Sequence, residues 1–396
     1  MQLSSDHILT THAGSLPRPH DLAHMMYAIL DGKPVDPIAL DERVRKAIAE
    51  AVERQQKIGL DVISDGELGK VGFSNYVLQR MTGFEGNADF MAADFADAPG
   101  VAADAFGSEG SSHLRLPVVN GPIEVRDTKA IDKQIADFRS ALGNAPPDKA
   151  FIPAVTPGHV AFNFPNRYYK SHQKYIEAAA AALAPEYKAI VDAGFNLQLD
   201  SPDAAMAFHC TVQGSDLADP AAHLAAGIEV LNDVLSGVPA EKIRYHVCWG
   251  NYRGTHHKDI ALKDIIKLVL KSRAKFIYVE AANPRHEHEW AVWKDVKLPD
   301  DKALIAGVID TKTNSVEHPE LVAQRLERFA KIVGKERVIA GTDCGFATFV
   351  GFHPCHPDAA WLKLRTLVEG ARLASDRLWS SPGKAKRAGR PRKEKA

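Results

Sequence analysis

The chain has 396 residues, 45% of them hydrophobic, and a formal net charge of −1. That is ample for a large core, and the near-neutral balance gives no reason to expect nucleic acid or a membrane surface as the main partner. Met1 to His12 contain no apolar signal core, and no apolar run approaches the roughly 18 residues that span a bilayer, so a cytoplasmic protein is expected.

Short β-rich runs alternate with longer helical stretches along most of the chain. The first run, residues 8–15, ends in T-H-A-G-S, and a helix with apolar residues at helical spacing is predicted over 37–58. The second run, 61–67, reads D-V-I-S-D-G-E, and the third, 150–159, reads A-F-I-P-A-V-T-P-G-H. An Ala-rich helix over 171–193 leads into the fourth run, F-N-L-Q-L-D-S-P, at 195–202. The fifth run is I-R-Y-H-V-C-W-G at 243–250, followed by a helix over 260–272. The sixth, seventh and eighth runs occupy 275–282, 303–312 and 337–346, with helices over 319–333 and 357–379. The runs are mostly apolar, as parallel strands buried on both faces should be. Eight of them with intervening helices predict an α/β fold of the (β/α)8 TIM-barrel type. No G-x-G-x-x-G follows the first run, which argues against a dinucleotide-binding fold.

Residues 1–379 are thus expected to form one catalytic domain. Residues 68–149 are too long for a simple connection and are read as an insertion after the second strand, over the barrel mouth. It contains L-P-V-V-N-G-P-I-E-V, which predicts a hairpin turning at Asn120-Gly121. The basic end, 380–396, is nearly free of apolar residues and is expected to be disordered. Its G-R-P-R-K has the form of a minor-groove binding core, but a solvated tail is the plainer reading, and nucleic acid is not expected as a partner.

In a TIM barrel the active site lies at the C-terminal ends of the strands. Polar residues gather there: His12 and Ser15, Asp65 and Glu67, His159, Asp200, His246 and Cys248, Glu280, Asp310 and Lys312, Asp343 and Cys344. Buried strands do not gain such residues for packing, since each needs a buried partner. His246 and Cys248 are two apart and so face one side of a strand. With Glu280 and Cys344 they make an S2NO donor set suited to tetrahedral Zn2+, and thiolates favour zinc over magnesium or calcium. Asp200 has a plainer reading as a helix cap, and Glu67 as a local partner of Lys70. His286 and His288 invite a second metal site but are better placed at the start of a helix behind Glu280. Cys210 and Cys355 are read as buried or structural.

These residues carry a resemblance. T-T-H-A-G-S, G-L-D-V-I-S-D-G-E, L-Q-L-D-S-P, H-V-C-W, F-I-Y-V-E, G-V-I-D and G-T-D-C-G fall in the order found in the C-terminal catalytic barrel of the cobalamin-independent methionine synthase family and its single-barrel relatives. The chain resembles that family from about residue 9 to residue 378. The resemblance implies a TIM barrel, zinc held by His246, Cys248, Glu280 and Cys344, and homocysteine contacts at Ser15, Glu67 and Asp200; His12, from its place after the first run, is a further substrate-binding candidate. It implies a methyltransferase that makes methionine through a thiolate nucleophile, with a small-molecule thiol and an alkyl donor, or a methyl-donor protein, as partners.

The match departs from the family at D-I-H-S, which here reads D-T-K-T-N, with Lys312 in place of the histidine. The tryptophan-bearing segment that stacks on a pterin also has no counterpart. Asp310 and Lys312 become the candidates for protonating the leaving atom. The D-T-K-T-N-S-V-E run is similar to that of epoxyalkane:coenzyme M transferase, so addition of a thiol to an epoxide, or cleavage of the thioether, is the alternative activity. A metal-binding regulatory protein is the alternative from another class. The alkyl donor, the thiol and the oligomeric state are left open by the sequence.

Overall fold

The computed structural model describes residues 1–102, 104, 105, 116–214 and 217–380. The basic tail beyond Ser380 lies outside the described residues, and with it the expected disorder and the minor-groove reading. The described residues hold eleven strands: β1 (Ile63–Ser64), β2 (Phe84–Glu85), β3 (Phe90–Ala92), β4 (Val118–Val119), β5 (Ala150–Val155), β6 (Asn196–Ser201), β7 (Cys210–Val212), β8 (Ile243–Val247), β9 (Phe276–Val279), β10 (Ala303–Ile309) and β11 (Val338–Thr342). Seven of them form one parallel sheet in the order β1-β5-β6-β8-β9-β10-β11. Every residue of those seven strands is buried, which is why their sequences run apolar rather than alternating.

The first run closes this sheet into a barrel, but not as the regular strand its sequence predicts. Thr11 N donates to Ala340 O at 2.9 Å, Ala340 N to Leu9 O at 2.8 Å, and Val62 N to Thr10 O at 3.0 Å. The segment therefore bridges β11 to the chain entering β1. Side chains interrupt the ladder: Leu9 N donates to Ser4 Oγ at 3.0 Å and Thr10 N to Asp61 Oδ2 at 2.8 Å. Amides satisfied by side chains are lost to strand pairing. Inside the barrel, fully buried Arg244 donates to Thr11 Oγ1 at 3.0 Å and His12 O at 2.9 Å, its guanidinium 3.7 Å from the Phe151 ring centre.

The outer helices start and stop where local chemistry dictates. Pro37–Ile58 has proline in its first turn, an Asp36 side-chain cap and left-handed Gly59 after it. Pro319–Val333 and Pro357–Trp379 repeat the proline start, capped by His318 and His356. Proline is preorganised for the first helical position, where its missing N–H costs nothing. The predicted helix over 260–272 is shorter, at Leu262–Val269.

The insertion divides into two parts. Helix Lys129–Leu142 packs against Pro37–Ile58 and His172–Asp192, the place of a barrel helix. Among the other described residues of the insertion, β3 reaches the pocket at the mouth and pairs antiparallel with β7, Phe90 opposite Val212 and Ala92 opposite Cys210. The predicted hairpin at Asn120-Gly121 does not form. Instead β4 pairs with β2, and Val125 bridges Met81, so both arms lie along one partner segment. Gly83 makes this possible. It has φ +92, and a Cβ there would stand 2.7 Å from Pro122 O, so the Asn-Gly pair lies close over its backbone instead of reversing the chain.

Candidate active site and metal centre

His246 is the fourth residue of β8, and Cys248 follows the strand end on the same face. Cys344 follows the end of β11. The barrel brings the two sulfurs to 3.4 Å. The Cys344 contact, together with burial, pushes the Cys248 thiol well above its ordinary pKa. Gly250 N donates to Cys248 Sγ at 3.3 Å. The His246 ring is fixed by Asp200: Nδ1 lies 2.9 Å from Asp200 Oδ1, which also accepts from Gln198 Nε2 at 2.9 Å. Burial lowers the His246 pKa, but the Asp200 hydrogen bond and charge outweigh it, and the net shift is upward.

Glu280 follows β9 and is fully buried. Its Oε1 accepts from Trp249 N at 3.0 Å, and its Oε2 from Asn283 Nδ2 and Lys312 Nζ, both at 2.8 Å. Burial raises its pKa, yet the Lys312 ammonium beside it gives a net lowering. Among the described residues, no group of three or more His, Cys, Asp or Glu side chains converges closely enough to hold a metal ion. Two sulfurs meet, the imidazole stands beside them, and the carboxylate is turned to Lys312.

These groups open on a pocket in the barrel mouth. Ser15, Glu67, Asp200, His246, Cys248 and Cys344 form its polar side; Phe73, Phe90, Phe349 and Phe352 form an aromatic side. Glu67 sits at φ 56 after left-handed Gly66. Among the described residues its Oε2 is buried with no hydrogen-bond partner; Lys70 spends its ammonium on Pro153 O at 2.6 Å. Burial, with Asp200 and Asp65 adding to it against Lys70, pushes the Glu67 carboxyl up to about 8. Ser15 is wedged beside Gly345, where a Cβ would stand 2.0 Å from its Oγ. Gly345→Ala should therefore cost about 1–3 kcal/mol and displace Ser15, read as a lower denaturation midpoint. An unchanged midpoint would show that Ser15 is not held tightly there.

The other expected site residues lie off the pocket wall. His12 is buried, with Nε2 2.8 Å from Gln55 Oε1, and burial lowers its pKa to about 4. Lys312 lies behind Glu280, and Asp310 accepts from Lys312 N at 2.8 Å. Asp200 binds His246 rather than capping a helix. His286 heads the short helix Glu287–Ala291 and is bonded to Asp259 and Glu289. Asn163, which no spacing singled out, joins His159 on the pocket wall. Its only signal is that it follows His159 by four residues in a helix opened by Thr156-Pro157.

The fold is of the (β/α)8-barrel class, and the pocket lies at the C-terminal mouth of the strands, where enzymes of this class carry their sites. The family model for the catalytic domain of cobalamin-independent synthase matches residues 8–372. The chain belongs to the cobalamin-independent methionine synthase family. It is 26% identical to a methionine synthase of Saccharolobus solfataricus over 376 residues, covering 93% of this chain and 95% of the relative. It is also 26% identical to a 2-hydroxypropyl-CoM lyase of Xanthobacter autotrophicus over 412 residues, covering 96% and 97%. Among solved structures, a B12-independent methionine synthase from Shewanella sp. superposes with a TM-score of 0.70 at 20% identity, covering 94% of this chain and 99% of that one.

Proposed function

We propose that the protein is a zinc-dependent thiol methyltransferase that forms methionine from homocysteine and a methyl donor. One observation carries the reading: two cysteine sulfurs 3.4 Å apart at the ends of two barrel strands, beside a histidine whose second ring nitrogen is held by a carboxylate. Two thiolates on tetrahedral zinc, each about 2.3 Å away, stand about 3.8 Å apart. A zinc-ligating histidine usually gives its other N–H to a carboxylate or carbonyl, as His246 does to Asp200. His246, Cys248 and Cys344 would hold the ion, with Glu280 as the fourth donor. Bound zinc lowers the pKa of a thiol and so supplies the nucleophile at neutral pH.

The chain's own residues then place the substrate. Glu67 and Asp200 offer carboxylates to the ammonium of homocysteine, and Ser15 lies beside them. Lys312 compensates the buried charge of Glu280. The methionine synthases among the relatives support this choice of thiol. A second reading, addition of a thiol to an epoxide, is favoured by Lys312 where D-I-H-S carries histidine and by the CoM lyase relative.

Product analysis with homocysteine, coenzyme M and glutathione separates the two readings. Turnover of no thiol with any donor sinks both. A second measurement addresses Glu67. With its pKa at about 8, this acid is mostly protonated at pH 7. An ammonium ligand favours the carboxylate, so methionine binding should expel a proton and tighten as pH rises from 6 towards 8, by up to about tenfold per pH unit. Calorimetry in buffers of different ionisation enthalpy reads this directly, and Glu67→Gln should remove the proton release. Release that persists in Glu67→Gln places the titrating group elsewhere.

A further inference from the structure

The expected proton donors, Asp310 and Lys312, do not reach the pocket, while another group on its wall is unspent. His159 lies in helix Pro157–Asn163, whose Thr156 cap accepts from the His159 backbone N–H at 3.2 Å. Its side chain is buried and lines the pocket. Among the described residues neither ring nitrogen has a hydrogen-bond partner. Asn163, one turn on and on the same face, also lines the pocket and leaves its Nδ2 without one. A histidine kept only for packing would tie at least one nitrogen, since an unpaired buried polar atom is a standing cost.

The neighbours do not absorb the ring. The nearby Asp203 carboxylate takes His223 Nε2 at 3.2 Å and Ser201 Oγ at 2.8 Å. Phe73 lies 5.2 Å from the His159 ring centre, and Phe162 5.9 Å. Burial lowers the His159 pKa to about 4, with Asp203 and Asp200 opposing it, so the free ring is neutral and offers one donor and one acceptor.

The geometry points to His159 as the catalytic residue that hands a proton to the leaving atom, and to an alkyl donor whose carbon is bound to nitrogen or oxygen. This rests on the thiol-alkylation reading above. The C–S bond forms, the C–N or C–O bond breaks, and its electron pair goes to the heteroatom. That atom takes the proton from one ring nitrogen of His159. The other ring nitrogen takes up, through water, the proton the thiol gave up. The ring ends neutral as the other tautomer, which requires both nitrogens to be open. Asn163 Nδ2 holds the donor beside it, and the Phe73 wall suits a flat, apolar body. A sulfonium donor leaves as a neutral sulfide and needs no such proton.

The test uses the full-length holoenzyme with homocysteine, 1,2-epoxypropane as the oxygen-leaving probe and S-methylmethionine as the sulfonium probe. General acid catalysis contributes about 100-fold or more. His159→Phe should lower kcat with the epoxide by about that factor, and the epoxide-to-sulfonium ratio with it, while zinc content and methionine affinity hold. His159→Gln, which keeps a donor but cannot relay, should fall between. An equal loss on both probes, or no loss, overturns the assignment. If neither probe reacts, nitrogen-15 spectra of the His159 ring decide. N-methylacetamide should shift both ring resonances in the wild type and fail to do so in Asn163→Ala; an unmoved ring overturns it. Loss of zinc or of methionine binding in the wild type would instead count against the thiol-alkylation reading itself.

Discussion

On the proposed reading, Cys344→Ala should strip the protein of zinc and lower thiol alkylation by about 1,000-fold or more. A bound metal contributes several kcal/mol to such a step, and about 1.4 kcal/mol is a factor of ten. The substitution removes one of the two sulfurs that meet at 3.4 Å and leaves His246, Cys248 and Glu280, one donor short of the proposed tetrahedron. Cys248→Ala should match it. Asp200→Asn should be milder, costing about 10–100-fold in zinc affinity, because His246 stays in place while its Nδ1 loses a charged partner. Metal analysis of the purified variants checks all three. Stoichiometric zinc with full activity in Cys344→Ala would remove the central claim.

Asp343→Ala should be the most damaging change to stability. Both carboxylate oxygens are in use: Oδ1 accepts from Ala281 N and Ala282 N, each at 2.9 Å, and Oδ2 from Asn283 N and Asn283 Nδ2, each at 2.8 Å. Alanine leaves these donors buried and unpaired, at about 1–3 kcal/mol each, so a loss above about 4 kcal/mol is expected. The segment it holds follows Glu280, and Asn283 Nδ2 also binds Glu280 Oε2 at 2.8 Å. The same substitution should therefore loosen the carboxylate. Asp343→Asn keeps an acceptor on one side and should lose less. Chemical denaturation gives the magnitudes. A midpoint unchanged in Asp343→Ala would show that water replaces the carboxylate and that Asp343 does not hold the segment.

The barrel was legible because its strands are buried on both faces and carry chemistry only at one end. His246, Cys248 and Cys344 stood out because two lie at strand spacing and all three follow apolar runs. The helices over 37–58, 319–333 and 357–379 were legible to the residue because proline and a capping side chain mark each start. Elsewhere distant partners overrode the local pattern. The first run looks like any strand, but Ser4 and Asp61 take its amides. The Asn-Gly pair has every local feature of a turn, yet Gly83, far back in the chain, offers a bare backbone to lie against. Lys312 reads as a pocket acid until Glu280, 32 residues away, is seen to hold it. His159 stood among the polar residues that follow the strands, but a histidine after Thr-Pro-Gly also has the form of any capped helix start, so the sequence did not mark its role. Its open ring nitrogens are visible only in three dimensions.

The seam between Thr10 and Ala340 has a consequence for synthesis. Thr10 is made 330 residues before Ala340, the difference of their numbers. The cylinder cannot shut until the later segment has been made, however early the individual βα units condense. Contacts between such remote segments form slowly. Until they form, the nascent sheet carries open edges able to pair with other chains. Assembly in the cell should therefore be limited by this last joining. Variants that weaken the Leu9, Thr10 and Asp61 contacts should show it first as a lower yield of soluble protein, before any change at the thiol site.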